Sequence, residues 1–151
     1  MENKTRTFLI FAITCFMMLG VDILAQSNKD HLEDHRKKWN IPATADELKN
    51  PLKGNAGATE NGKVLYQKNC SVCHGSTGKG DGIAASGLAV APADHTSLLV
   101  QEESDGSLFY DISGGHAPMP AYKTILTETQ HWELVNYIRT LKVIPKSKSH
   151  K

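Results

Sequence analysis

Residues 70–74 read Cys-Ser-Val-Cys-His. Two thiols three positions apart, followed at once by an imidazole, suit four kinds of chemistry. They could form half of a zinc site, run a dithiol–disulfide couple, close a structural disulfide, or attach a c-type haem.

The rest of the chain separates these readings. Structural zinc usually takes four Cys or His ligands. Cys70 and Cys73 supply two, His74 is too close in sequence to complete the set, and no second cysteine pair exists. A thioredoxin-like dithiol needs a strand before it and a helix after it. Here a helical pattern precedes the motif and the glycine loop "GSTGKGDG" (75–82) follows. A bare disulfide leaves His74 without a task. The pattern as it stands is the c-type haem attachment signature. Each thiol adds to one haem vinyl group, and the residue after the second cysteine is carried under the ring. Cys70 and Cys73 are therefore the candidate thioether anchors, and His74 is the candidate proximal iron ligand.

Helical elements must hold this motif. Residues 59–69 have helical spacing, with Thr59 as the expected N-cap and Gly62, Leu65, Tyr66, Asn69, Cys70 and Cys73 on one face. Gly62 costs such a helix about 1 kcal/mol relative to Ala, a cost that fits close approach of a second backbone. The loop 75–82 is no phosphate loop, because Gly80 follows Lys79 where Ser or Thr is needed. Ser104 or Asp105 can open a short helix that buries Leu108, Phe109 and Ile112 and stops at Gly114-Gly115. "HAPMPAY" (116–122) is a stiff loop, with Pro118 and Pro120 restricting the backbone around Met119. Thr127-Glu128-Thr129-Gln130 fits a capping box for a last helix reaching about Lys142, with Pro145 beyond it. Its apolar stripe is Leu134, Tyr137, Ile138 and Leu141, with Trp132 and Val135 beside it. No alternating strand pattern of useful length appears, so the fold class is all-α.

The flanks read differently. Lys4 and Arg6, the short apolar run Phe8–Leu19 and the small residue Ala25 have the layout of a signal peptide over residues 1–25. An uncleaved anchor is the competing reading. Cleavage near Ala25 would leave Cys70 and Cys73 as the remaining cysteines and Met119 as the remaining methionine. Residues 26–58 read as an extended N-terminal arm, pinned by Trp39, Ile41 and Leu52. A solvated helix over 29–39 is its alternative. Residues 143–151 read as a basic, flexible tail. With 17 Lys+Arg against 16 Asp+Glu, the chain has no global basic field to attract nucleic acid.

These pieces carry a resemblance. "GKVLY" with Gly62 and Tyr66, "CSVCHG", Pro92 in "APAD", "MPAY" and "WELVNYIRTL" make residues 59–142 resemble a monohaem class I cytochrome c. The resemblance implies a small fold whose N- and C-terminal helices cross around one covalently attached haem c. It implies that a carbonyl near Pro92 receives the proximal histidine's N–H, and that Met119 binds iron on the distal side. His116 is the nearest competitor for that position, and plain packing is the other use of Met119. Tyr122 would reach a haem propionate or simply pack. His31, His35 and His95 read as exposed, and Asp81, Asp94 and Asp111 as loop or helix-surface residues.

The implied task is one-electron transfer in the periplasm. Its partners would be redox proteins that dock transiently at the membrane surface: a respiratory complex, a terminal oxidase or a periplasmic dehydrogenase. A dedicated cytochrome subunit of a larger oxidoreductase is the alternative; a haem peroxidase or gas sensor is a more distant one. No acid–base pair with a specific signature suggests an enzyme.

Overall fold

Helices, and no strands, make up the regular structure of the residues described in this computed structural model, which are 26–27 and 29–143. The expected signal peptide, Pro145 and the tail beyond residue 143 lie outside them. The chain divides into two compact units, Met1–Lys37 and Lys38–Lys151.

Residues 29–39 are helical (α1), not extended as expected of the arm. The spacing of Glu33 with Lys37 and of Asp34 with Lys38 is the i, i+4 order that supports a solvated helix. Polar composition argues for an arm, but the charge spacing argues for the helix and prevails. A 3-10 turn follows at Ala43–Glu47 and buries Ala45.

Helix α2 spans Ala56–Asn69. Its N-cap is Asn55, whose side chain accepts from the Ala58 N–H at 3.0 Å. The helix thus begins before the expected cap, Thr59, which lies in the first turn and donates its hydroxyl to the Asn55 carbonyl at 3.0 Å. Both residue types cap well. Gly54, at φ +79°, turns the chain just ahead of Asn55, and so the earlier cap takes effect. Helix α3, Ser71–His74, continues the path after a break at Cys70.

Two further helices precede the last. Helix α4, Leu98–Glu102, is capped by Ser97; at five residues it is too short to show a period in sequence. Helix α5, Asp105–Gly114, is capped by Ser104, which accepts from the Ser107 N–H at 3.0 Å. Gly115 leaves it at φ +61°. Helix α6 spans Glu128–Thr140 behind the expected capping box: Thr127 accepts from Gln130 N–H at 3.3 Å, and Gln130 Oε1 from Thr127 N–H at 2.9 Å.

The core sits where α2 crosses α6. A Cβ on Gly62 would run into the carbonyl of Glu133, so only glycine permits this approach. Tyr66 is fully buried there, its ring centroid 5.1 Å from that of Tyr137. Trp132, Leu134, Val135, Tyr137 and Ile138 are buried along α6, and Leu108 and Ile112 join them from α5. Burying each Leu, Ile or Val side chain contributes about 1.5–3 kcal/mol. Arg139 ties the ends together. It pairs with Asp105 at 2.8 Å and donates to the carbonyls of Val100 and Gln101, each at 3.1 Å, and of Glu103.

Candidate functional site

One turn of chain carries the motif. The N–H groups of Cys73 and His74 both bond the Cys70 carbonyl, at 3.1 and 2.9 Å. The glycine loop then folds back onto the same turn. Ala84, Gly82 and Gly80 donate to the carbonyls of Val72, Cys73 and His74 at 2.9, 3.0 and 2.8 Å. Three successive carbonyls that α3 is too short to satisfy find donors this way. Glycine is needed at two of those positions: at Gly82 a Cβ would meet the Val72 carbonyl at 2.4 Å, and at Gly80 the Pro92 carbonyl at 2.5 Å.

His74 is held by its ring. Its Nδ1–H donates to the carbonyl of Ala93 at 3.0 Å. The acceptor is not Pro92, as expected, but the next residue. The Pro92 carbonyl lies instead beside Gly80, where an added Cβ would meet it. Fixing the proton on Nδ1 leaves the Nε2 lone pair as the one able to bind a metal. Burial lowers the pKa of His74, with the Ala93 bond opposing, and so favours the neutral ring.

His95 departs from expectation. It is half-buried rather than exposed, and it stacks on His74 with centroids 4.1 Å apart and planes 18° from parallel. Its pKa falls to about 3, first through burial and then through His74, with Asp94 opposing. Neither Ala93 nor His95 is legible in the sequence as a site residue. Their signal is weak: a histidine two residues beyond the acceptor, in a loop distant from the motif in sequence.

The distal loop is built from α5. Met119 N–H donates to the His116 carbonyl at 2.8 Å, closing a tight turn around Ala117 and Pro118. Tyr122 and Lys123 donate their N–H groups to Ile112 and Ser113, each at 3.1 Å. The Tyr122 hydroxyl donates to the Asn69 carbonyl at 2.9 Å. It thereby ties the loop to the end of α2, which is a use other than either expected one. The His116 ring packs against Trp39, centroids 5.2 Å apart.

Cys70, Cys73 and His74 line the same cleft as Met119, His116 and Tyr122, with an empty volume of about 770 Å³ counted out to open solvent. Leu88, Val90, Pro118 and Pro120 give the cleft apolar walls. Cys70 is buried enough that its thiol pKa rises to about 12, first by desolvation and then by Cys73. A neutral thioether belongs in such surroundings better than a thiolate does. One cleft thus holds two thiols, an imidazole with a free Nε2 and a thioether sulfur, which fits a covalently attached haem.

Residues 59–142, more than half of the chain, match the family model for Cytochrome c. The chain belongs to the cytochrome c family, and its all-α fold is that of a class I c-type cytochrome. It carries a covalently attached c-type haem, the cofactor of that family. No curated protein matches the chain. Among solved structures it is similar to a chain from Kuenenia stuttgartiensis, in the reducing HAO-like protein complex Kustc0457/Kustc0458. The identity is 27% and the TM-score 0.56, over 62% of this chain and 47% of that one. The chain therefore spans less than half the length of that relative.

Proposed function

We propose that this chain is an exported one-electron carrier that exchanges electrons with periplasmic or respiratory redox proteins and catalyses no reaction of its own. In this reading residues 1–25 are a cleaved signal peptide, 26–58 a leading segment, 59–142 the haem domain and 143–151 a basic tail. Cys70 and Cys73 would anchor the haem, and His74 through Nε2 and Met119 through sulfur would hold its iron. When bound, the haem supplies the electron chemistry, its iron cycling between ferric and ferrous.

The polypeptide does the rest. Ala93 fixes the His74 tautomer and ring position. The apolar walls keep water from the cleft, and a methionine ligand favours the ferrous state and so raises the potential. With His74 and Met119 both given to the iron, no position on it would stay open for substrate. That argues against the peroxidase and gas-sensor readings.

The observation that carries this reading is the convergence of Cys70, Cys73, His74 and Met119 on one cleft. Mass spectrometry of the denatured, exported protein tests it. The expected mass is that of a chain beginning at about Gln26 with one haem attached and no titratable thiol. A haem-free chain with two free thiols, made in cells competent for haem attachment, would remove the reading. The resemblance to a chain of a protein complex is compatible with a dedicated subunit but does not favour one over a freely diffusing carrier. Retention of a stoichiometric partner through gentle purification would decide for the subunit.

A further inference from the structure

The contacts around His74 extend beyond its hydrogen bond. The hydrogen bond at Nδ1 fixes one point of the His74 ring, and small changes of χ1 and χ2 can still tilt its plane. The flat ring of His95 removes that freedom. It lies 4.1 Å from the His74 ring and 18° from parallel to it, at stacking distance. Rotation of His74 out of its plane would drive it into His95.

His95 can act as a wall only if it is itself fixed, and three bonds fix it. Its N–H donates to Gly78 O at 2.6 Å, and its carbonyl accepts from Gln101 Nε2 at 2.7 Å. Its Nδ1 is hydrogen-bonded to the Tyr66 hydroxyl at 2.9 Å. Each anchor reaches into the core. Gln101 also donates to Ile138 O on α6 at 2.9 Å. Tyr66 is fully buried against Tyr137 at the crossing of α2 and α6. Gly78 is buried, and a Cβ there would meet Leu141 and His95. An apolar side chain at 95 could fill the space, but it could not share a hydrogen bond with the Tyr66 hydroxyl.

We infer that His95 is a positioning residue that sets the plane of the His74 imidazole, and that Tyr66 holds His95 in register with the helix crossing. The inference rests on His74 as the proximal ligand. It makes the α2–α6 crossing more than a core: its geometry reaches the ligand plane through Tyr66, His95 and His74 in turn.

The order of the hyperfine-shifted haem-methyl signals in the ferric protein reports the orientation of an axial imidazole plane. The test compares proton NMR spectra of holoprotein for wild type, His95→Ala and Tyr66→Phe. His95→Ala should reorder or respace these signals. Tyr66→Phe, which removes one hydroxyl from a packed ring, should shift them in the same sense but less. Tyr66→Phe carries the test alone if His95→Ala does not fold. A methyl pattern unchanged from wild type, even with a lowered melting temperature, reduces His95 to packing and overturns the inference. Absence of a haem-methyl pattern from wild type itself would strike the ligand assignment beneath it, an outcome distinct from an unchanged one.

Discussion

The two sides of the cleft are built by different means. On the proximal side, five consecutive residues carry both thiols and the imidazole, and one turn of backbone holds them. The glycine loop returns to satisfy that same turn, and Ala93 and His95 fix the ring. On the distal side, Met119 stands alone in a proline-flanked loop. Its own N–H closes one turn, and the loop is tied down through Tyr122 and Lys123. A side chain that is part of a local motif is positioned by local geometry. A side chain on a loop depends on contacts made elsewhere along the chain. The distal side should therefore yield first, and at smaller cost to the fold.

The strongest way to break this contrast is to attack the proximal side at Gly80. Its φ of +74° is a left-handed conformation, and a Cβ would meet the Pro92 carbonyl. Gly80→Ala combines roughly 1–2 kcal/mol of backbone strain with about 1–3 kcal/mol of overpacking. It also displaces the segment that carries Ala93 and His95. Thermal unfolding of the holoprotein should show a loss of about 2–5 kcal/mol. A loss below about 0.5 kcal/mol, the range of an ordinary surface substitution, would mean that this loop does not brace the proximal turn.

Tyr122→Phe probes the distal side. It deletes the bond to Asn69 and should cost about 0.5–1.5 kcal/mol of stability. Its more telling effect should be on the loop. Carbon monoxide should displace the distal ligand of the reduced protein faster than in wild type, while haem attachment is unchanged. An unchanged rate would show that the prolines and the His116 turn hold Met119 without Tyr122.

The smallest expected effect comes from outside both sides. His131, in the first turns of α6, is 2% exposed and hydrogen-bonded through Nδ1 to Thr127 O at 2.8 Å. Burial lowers its pKa, with the Thr127 bond and then Glu128 opposing. A depressed folded pKa means that the unfolded chain binds the proton more readily. Its contribution to stability is therefore present above the ordinary histidine value of about 6.5 and falls away below it. His131→Gln should flatten part of the decline in melting temperature between neutral and mildly acidic pH. An identical decline in the variant would assign the acid sensitivity to other groups.

Legibility in sequence follows the same division. The Cys70–His74 motif is contiguous and its residue types are rare in combination, so the residues alone announce it. The Thr127 capping box and the α6 stripe are legible for a similar reason, since the information lies within a few turns. Sequence places Met119 in a loop ahead of the last helix, but only the fold brings it into the cleft with His74. The expected acceptor, Pro92, is one residue short of Ala93, because which of two neighbouring carbonyls faces the ring is set by the course of the loop and not by residue type. His95 gives no local sign of its role, since its partners Tyr66 and His74 lie 29 and 21 positions away. The α1 helix hides behind a polar composition that masks the spacing of its charges.

In the proposed reading His74 and Met119 hold the iron of a haem anchored at Cys70 and Cys73. The optical spectrum of the ferric protein, recorded for wild type and for Met119→Ala, tests it most directly. A sulfur-to-iron bond gives a weak far-red band. That band is expected in wild type and lost in Met119→Ala, with carbon monoxide then binding the reduced variant. A far-red region and ligand binding that are the same in both proteins would contradict it, and would place a residue other than Met119, His116 first, opposite His74.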